Sequence, residues 1–266
     1  MYFVKKLNTA QPRIGQIALF WLGQAGFLIK NSNGEILALD PYFSDMVEKN
    51  EGIKRLMMPV MEPEELDADI ILVTHCHGDH LDLDSLPAML KPGSELLCCS
   101  QSFSECQKIG IPEAQMTVME VGSVKKAKGF TIEAVFADHG DGAPAALGYI
   151  VETEGIRIYF SGDTSYQRDR MKHASDQDID ILIVPINGEY GNMNERDAAM
   201  LAAQVRAKIT IPSHFWLFAR HKGSPYEFEQ EMRINVPECK TYVMCQGECL
   251  YYPDILLEIY RSRINS

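Results

Sequence analysis

Residues 74–80, with the sequence THCHGDH, concentrate side chains that bind metal ions. They follow the apolar run 70–73, which predicts a buried strand. Imidazole nitrogens and carboxylate oxygens are common ligands of Zn²⁺ and similar ions. His75 and His77 are expected to point to the same side, because side chains in an extended segment alternate with a period of two. Asp79 and His80 are adjacent and project in different directions, which suits a second ion beside the first.

Three further polar residues come at the ends of apolar segments. His139 follows the predicted strand 131–136, Asp163 follows 156–160, and His214 follows 209–211. Strand ends at one edge of a sheet converge even when they are far apart in the chain, and ligands commonly bind there. A lone histidine after a strand is more often structural, so only the set as a whole indicates a site.

These residues together predict a dinuclear metal site. The candidate ligands form two triads and a bridge: His75, His77 and His139 for one ion, Asp79, His80 and His214 for the other, and Asp163 between them. The ligand types suit two divalent ions, zinc or manganese. Cys76 is expected to point away from its histidine neighbours and is not counted as a ligand.

Short apolar segments dominate the chain and predict strands. They are 17–21, 26–30, 36–39, 70–73, 96–99, 117–121, 131–136, 148–152, 156–160, 181–185, 209–211 and 241–244. Residues 31–34 and 153–155 are typical of hairpin turns. Helices are predicted over 102–109, from the N-cap Asn194 to about Arg206, and after Ser224, where Pro225 and Glu227 complete a capping pattern. The pattern predicts an α+β fold of two packed sheets with helices outside, in one domain over 1–266.

The amino-acid composition limits the classes of function that fit the chain. The 266 residues are 46% hydrophobic, enough for a sizeable core. A net charge of −12 argues against a general nucleic-acid or membrane-surface binder. The first residues lack the pattern of a signal peptide, and no apolar run approaches the roughly 18 residues of a membrane span. Seven cysteines without a paired pattern indicate reduced thiols and a cytoplasmic protein. The composition is also compatible with assembly into a homo-oligomer.

The order of the motifs resembles the metallo-β-lactamase-fold superfamily. The resemblance rests on the HxHxDH loop, on His139, on the Ser-Gly-Asp-Thr around Asp163, and on His214 after its strand. It implies a four-layer αββα sandwich with the metals at one edge. More narrowly, the chain is similar to the group of L-ascorbate-6-phosphate lactonase and related metal-dependent hydrolases, through residues 21–27, Asp40-Pro41, 159–164 and 185–214. Lactonase members tend to be longer at the N-terminus and before His75, which leaves the substrate open.

Four other residues are expected around the site. Asp40 and Thr74 are expected behind the ligands, where such partners fix imidazole tautomers, although ordinary turn chemistry is the alternative. Arg220 and Lys222 follow His214 closely and are candidates for holding an anionic substrate; the alternative is that both are solvated surface charges.

The predicted chemistry is hydrolysis. Two ions can generate a bridging hydroxide at neutral pH and polarise a carbonyl or phosphoryl oxygen. Asp79 is expected to orient the hydroxide and to pass its proton to the leaving alkoxide. The resemblance to the lactonase group, together with the cations after His214, implies a small anionic lactone as substrate, such as a sugar-phosphate lactone. No nucleic acid or membrane is expected as partner. The alternatives are a phosphodiesterase or nuclease on the same site and, less favoured, a non-catalytic metal-binding protein. A redox diiron role would require a carboxylate in place of His77.

Overall fold

Two seven-stranded sheets form the centre of the molecule, as a computed structural model that describes residues 2–253 shows. The first sheet contains, in spatial order, Cys249–Tyr252 (β14), Ile17–Gly23 (β1), Gly26–Lys30 (β2), Ile36–Leu39 (β3), Ile70–Val73 (β4), Glu95–Cys98 (β5) and Met116–Val118 (β6). Strands β14, β1, β2 and β3 pair antiparallel, and β3 to β6 pair parallel.

The second sheet repeats this mixed pattern. It contains, in spatial order, Lys240–Thr241 (β13), Ile209–Ser213 (β12), Ile181–Pro185 (β11), Ile156–Phe160 (β10), Leu147–Thr153 (β9), Phe130–Phe136 (β8) and Val124–Ala127 (β7). Strands β7 to β10 pair antiparallel, whereas β10 to β13 pair parallel.

Helices cover the outer faces of both sheets, except for the second along the chain, which packs in a separate small cluster. In chain order they are Tyr2–Thr9 (α1), Met46–Glu51 (α2), Leu86–Met89 (α3), Ser100–Lys108 (α4), Lys172–Ser175 (α5), Glu195–Val205 (α6) and Pro225–Asn235 (α7). Buried apolar residues of α1, α3 and α4 pack on the first sheet, and those of α5, α6 and α7 pack on the second. The layers therefore follow the order αββα, as predicted.

The alternation of side chains along β1 explains why it is apolar throughout. Ile17 and Leu19 belong to the core between the sheets, whereas Ala18 and Phe20 belong to the core under the outer helices. Both faces of the strand are therefore removed from water, and no position favours a polar side chain.

Several predicted boundaries were wrong. The strand predicted over 117–121 ends at Val118, because Ser123 donates its backbone N–H to Glu120 O at 2.8 Å and Gly122 takes a positive φ of 88°. The strand predicted over 241–244 is limited to Lys240–Thr241. Helices α1, α2, α3 and α5 and strands β7 and β14 were not predicted.

Some predictions extend beyond the described part of the chain. Residue 1 and residues 254–266 lie outside it, so the single domain over 1–266 stays a prediction. All seven cysteines lie inside it and are free thiols. No helix within residues 2–253 is long and apolar enough to cross a bilayer.

Candidate metal centre

The predicted ligands come together where strands of both sheets end at one edge of the sandwich. Strand β4 leads into the loop 74–80, while β8, β10 and β12 lead to His139, Asp163 and His214. The two sheets are tied at this edge, because Leu147 donates its backbone N–H to Thr74 O at 3.0 Å. The convergence therefore follows from the packing of the two sheets.

The first triad consists of His75, His77 and His139. His77 Nδ1 lies 3.0 Å from His75 Nε2 and 3.1 Å from His139 Nε2. His75 and His139 are buried, and His77 is half-buried. Three imidazole nitrogens thus converge on one point, as the period-two argument for His75 and His77 requires.

The second triad consists of Asp79, His80 and His214. The Nε2 atoms of the two histidines lie 3.1 Å apart. Asp79 Oδ2 lies 3.7 Å from His80 Nε2 and 3.5 Å from His214 Nε2. Two ring nitrogens that face each other beside a carboxylate suit a cation between them.

Asp163 reaches both triads with one oxygen. Its Oδ2 lies 3.1 Å from His214 Nε2, 3.5 Å from His80 Nε2 and 3.7 Å from His139 Nε2. Asn192 Nδ2 donates a hydrogen bond to the same oxygen at 2.7 Å. A single carboxylate oxygen therefore stands between the two sets of ligand nitrogens.

These distances fit metal coordination. Ligands bound at 2.0–2.1 Å in a tetrahedron lie about 3.3–3.4 Å apart, and the spacings of 3.0–3.7 Å within the triads bracket that value. Nitrogen and carboxylate donors are also the types that zinc, manganese and iron accept. The donor set therefore fits a transition-metal centre.

Asp40 and Thr74 lie directly behind the ligands. Asp40 Oδ2 lies 2.7 Å from His80 Nδ1 and accepts a hydrogen bond from Thr74 Oγ1 at 2.6 Å. The same hydroxyl lies 3.0 Å from His75 Nδ1. Asp40 Oδ1 accepts the Thr74 backbone N–H at 2.8 Å. One carboxylate thereby orders the start of the loop, His80 directly and His75 through the Thr74 hydroxyl.

Gln24 connects distant parts of the second triad and was not predicted. Its side-chain amide donates a hydrogen bond to Asp79 Oδ2, and its backbone carbonyl accepts the His214 backbone N–H at 3.0 Å. Gln24, Asp40 and His214 all take positive φ, at 48°, 39° and 59°. Such angles are strained for residues other than glycine and often mark functional sites.

His221 is a further residue of the site that lay outside the predicted ligands. Its ring centroid is 4.5 Å from that of His214, and one ring nitrogen lies within 4.8 Å of the Asp79 and His214 ligand atoms. Its buried Nδ1 has no hydrogen-bond partner among residues 2–253. Its signal in the sequence was only a histidine a short distance after His214.

The pKa values of the ligand histidines shift in different directions in the two triads. Burial lowers the pKa of all three histidines of the first triad, which favours the neutral form that binds metal. Burial acts in the same direction on His214, but Asp163 and Asp79 outweigh it and raise the pKa of His214 to about 9. Burial opposes the charge of Asp163, yet His214 and His80 hold the pKa of that carboxyl well below its usual value.

A pocket of about 260 Å³ opens over both triads. Its lining includes ligands of both triads, Asp163 and His221, together with Arg220 at the rim. Lys222 does not line it: this lysine is exposed and forms an ion pair with Glu189 at 2.7 Å. The structure thus separates the two cations that the sequence had grouped together.

Comparisons with known proteins agree with this fold. A family model for the beta-lactamase superfamily domain matches residues 18–214. A UPF0173 metal-dependent hydrolase from Pyrobaculum islandicum is 29% identical over 231 residues, which cover 86% of this chain and 97% of that protein.

Solved structures show the same architecture at lower identity. Igni18, a metallo hydrolase of Ignicoccus hospitalis, superposes with a TM-score of 0.71 at 22% identity, covering 90% of this chain and 99% of that one. The metallo-beta-lactamase fold protein YhfI from Bacillus subtilis has a TM-score of 0.67 at 17% identity, covering 89% and 99%. These comparisons confirm the predicted superfamily and do not single out its lactonase group. The chain belongs to the metallo-β-lactamase-fold superfamily.

Proposed function

We propose that the protein is a metal-dependent hydrolase that binds two divalent ions, zinc or manganese, and opens a small ester or lactone. The observation that carries the proposal is the position of Asp163 Oδ2 between the ligand nitrogens of both triads. The name of the Pyrobaculum relative, a metal-dependent hydrolase, supports the same class of reaction. Ions bound here would lower the pKa of a water molecule and polarise the carbonyl of the substrate.

The residues of the chain supply the orientation that this chemistry needs. Asp40 and Thr74 hold His75 and His80 in fixed ring positions, so the ligands are preorganised. Gln24 donates a hydrogen bond to the Asp79 carboxylate, which lines the pocket. We assign Asp79 the task of accepting the proton of the attacking water and returning it to the leaving oxygen, because it is the acidic residue of the second triad and lines the pocket.

The pocket favours a small molecule over a polymer. Its volume of about 260 Å³ lies below the range of about 300–1,000 Å³ for drug-sized ligands. The net charge of −12 also opposes a long nucleic acid. The second candidate substrate is a small phosphodiester, because a pair of metal ions can also catalyse in-line displacement at phosphorus.

The test combines metal analysis with a substrate screen. Protein purified without chelator is expected to contain close to two transition-metal ions per chain, measured by plasma mass spectrometry. The protein reconstituted with Zn²⁺ or Mn²⁺ is then assayed on lactones, thioesters and small phosphodiesters. Absence of metal after reconstitution would remove the site assignment, and full metal loading without any hydrolysis would favour a non-catalytic binding protein.

A further inference from the structure

One wall of the pocket over the triads is apolar. Val47 and Ile53, in and just after α2, face the pocket together with Phe218. We call these three residues the apolar wall. They belong to a small hydrophobic cluster with Tyr42 and Leu217 that is separate from the two main cores. The wall is therefore a built structure with its own packing.

The segment that carries the apolar wall is anchored beside the metal loop. Asp82 accepts the backbone N–H groups of Phe43 and Ser44, both at 2.8 Å. Gly78 lies against α2, where an added Cβ would come within 2.6 Å of Met46. The missing side chain at Gly78 thus lets α2 lie directly on the loop 74–80.

Arg55 fixes the far end of the same segment. Its buried guanidinium donates to the carbonyls of Phe43 and Ser44 at 2.9 Å, and its Nε donates to Met57 O at 2.8 Å. The next residue, Leu56, donates its backbone N–H to Leu217 O at 2.6 Å. The apolar wall is therefore tied to the loop that also carries His221.

The charges at the rim do not match a phosphate group. Outside the two triads, Asp163 and His221, the charged residues of the described chain that line the pocket are Glu51 and Arg220, one of each sign. Recognition of a phosphate commonly uses arginine forks or several converging donors. One guanidinium and one carboxylate in the lining suit a polar or carboxylate group better than a phosphate.

We infer that the substrate carries a short apolar substituent, which the apolar wall binds while the scissile carbonyl lies over the triads. This inference rests on the proposed hydrolase function and defines its substrate class as alkyl-substituted small esters or lactones, in preference to sugar phosphates. The pocket volume of about 260 Å³ limits the substituent to a short chain.

The experiment uses the metal-loaded protein and a series of γ-lactones with methyl, propyl, pentyl and heptyl substituents, with phosphogluconolactone as comparison. We expect kcat/KM to rise by roughly threefold to fourfold for each methylene that becomes buried, and then to level off or fall once the wall is covered. A kcat/KM that does not rise from the methyl to the propyl lactone, or a higher kcat/KM for phosphogluconolactone than for every alkyl lactone, would overturn the inference.

A matched pair of variants locates the effect. Ile53→Ala shortens the half-buried side chain in the apolar wall, whereas Ile234→Ala makes the same change at an exposed position of α7. Ile53→Ala is expected to reduce the ratio of kcat/KM between the longest favourable lactone and the methyl lactone, and Ile234→Ala is expected to keep that ratio. Equal ratios in the two variants would refute a role for the wall.

A binding measurement keeps the inference separate from the proposed function. Alkyl hydroxamates of the same chain lengths bind metal through their head groups, so their Kd for the metal-loaded protein reports the wall without turnover. Kd is expected to fall with chain length in the wild type and less steeply in Ile53→Ala. If no ester is hydrolysed, the proposed function fails, and the hydroxamate series still decides whether the wall selects apolar substituents.

Discussion

Replacing Asp40 with asparagine tests whether the residues behind the ligands control metal affinity. The carboxylate accepts two hydrogen bonds from Thr74 and is paired with His80 Nδ1 at 2.7 Å. An asparagine side chain has nearly the same shape but only one acceptor oxygen, so at least one of these contacts is lost. Asp40→Asn therefore removes support from His80 while the side chains of both triads remain.

The expected loss of affinity follows from that contact. A hydrogen bond to a charged group contributes about 1.5–3 kcal/mol, and loss of such partners typically lowers metal affinity about 10–100-fold. We expect the weaker of two Zn²⁺ binding events to lose about 10–100-fold in affinity, measured by calorimetric titration of metal-free protein with a competing chelator. kcat/KM at limiting metal is expected to fall with it.

Asp67→Asn is the matched control, because it makes the same chemical change at an exposed residue in the loop before β4, away from the triads. It is expected to leave both Kd values unchanged. Thermal unfolding of the metal-free variants separates a general loss of stability from a loss of metal affinity. An Asp40→Asn protein that folds normally and binds both ions as tightly as the wild type would refute the reasoning.

Three other predictions concern the same centre. Asp163→Ala is expected to lower hydrolysis by several orders of magnitude with the fold intact by circular dichroism, because the oxygen shared by both triads is lost; near-normal turnover at full metal loading would show that Asp163 is not a bridge. Below about pH 9 His214 of the metal-free protein holds a proton that the metal must displace. Metal affinity, measured by titrations across the pH range, is therefore expected to rise with pH up to about 9, above which His214 adds no further pH dependence. An affinity that falls as pH rises would contradict this. Arg220→Ala is expected to raise KM for a carboxylated lactone more than for its neutral analogue, whereas Lys222→Ala, which removes only the exposed pair with Glu189, is expected to change neither; equal effects of Arg220→Ala on both substrates would make Arg220 a surface charge.

The sequence alone determined the types of ligand and the strands that present them. The loop 74–80 and the polar residues after β8, β10 and β12 could be found because each is a local pattern: an apolar run followed by groups that bind metal. The αββα order followed in the same way from short apolar strands with helices between them, together with the resemblance to the superfamily. Strand β7 was missed because it is an edge strand whose sequence, VKKA, contains two lysines and no apolar run.

The tertiary structure decided what lies between these local patterns. Gln24 meets Asp79 and His214 only because β1 and β12 end at the same edge, and its positive φ follows no residue preference. The apolar wall depends on the segment around Arg55 being tied to a loop far later in the chain, as the pairing of Leu56 with Leu217 shows. Lys222 turns to Glu189 and not to the pocket. Contacts of this kind depend on how sheets and loops pack in space, and residue spacing along the chain carries no information about them.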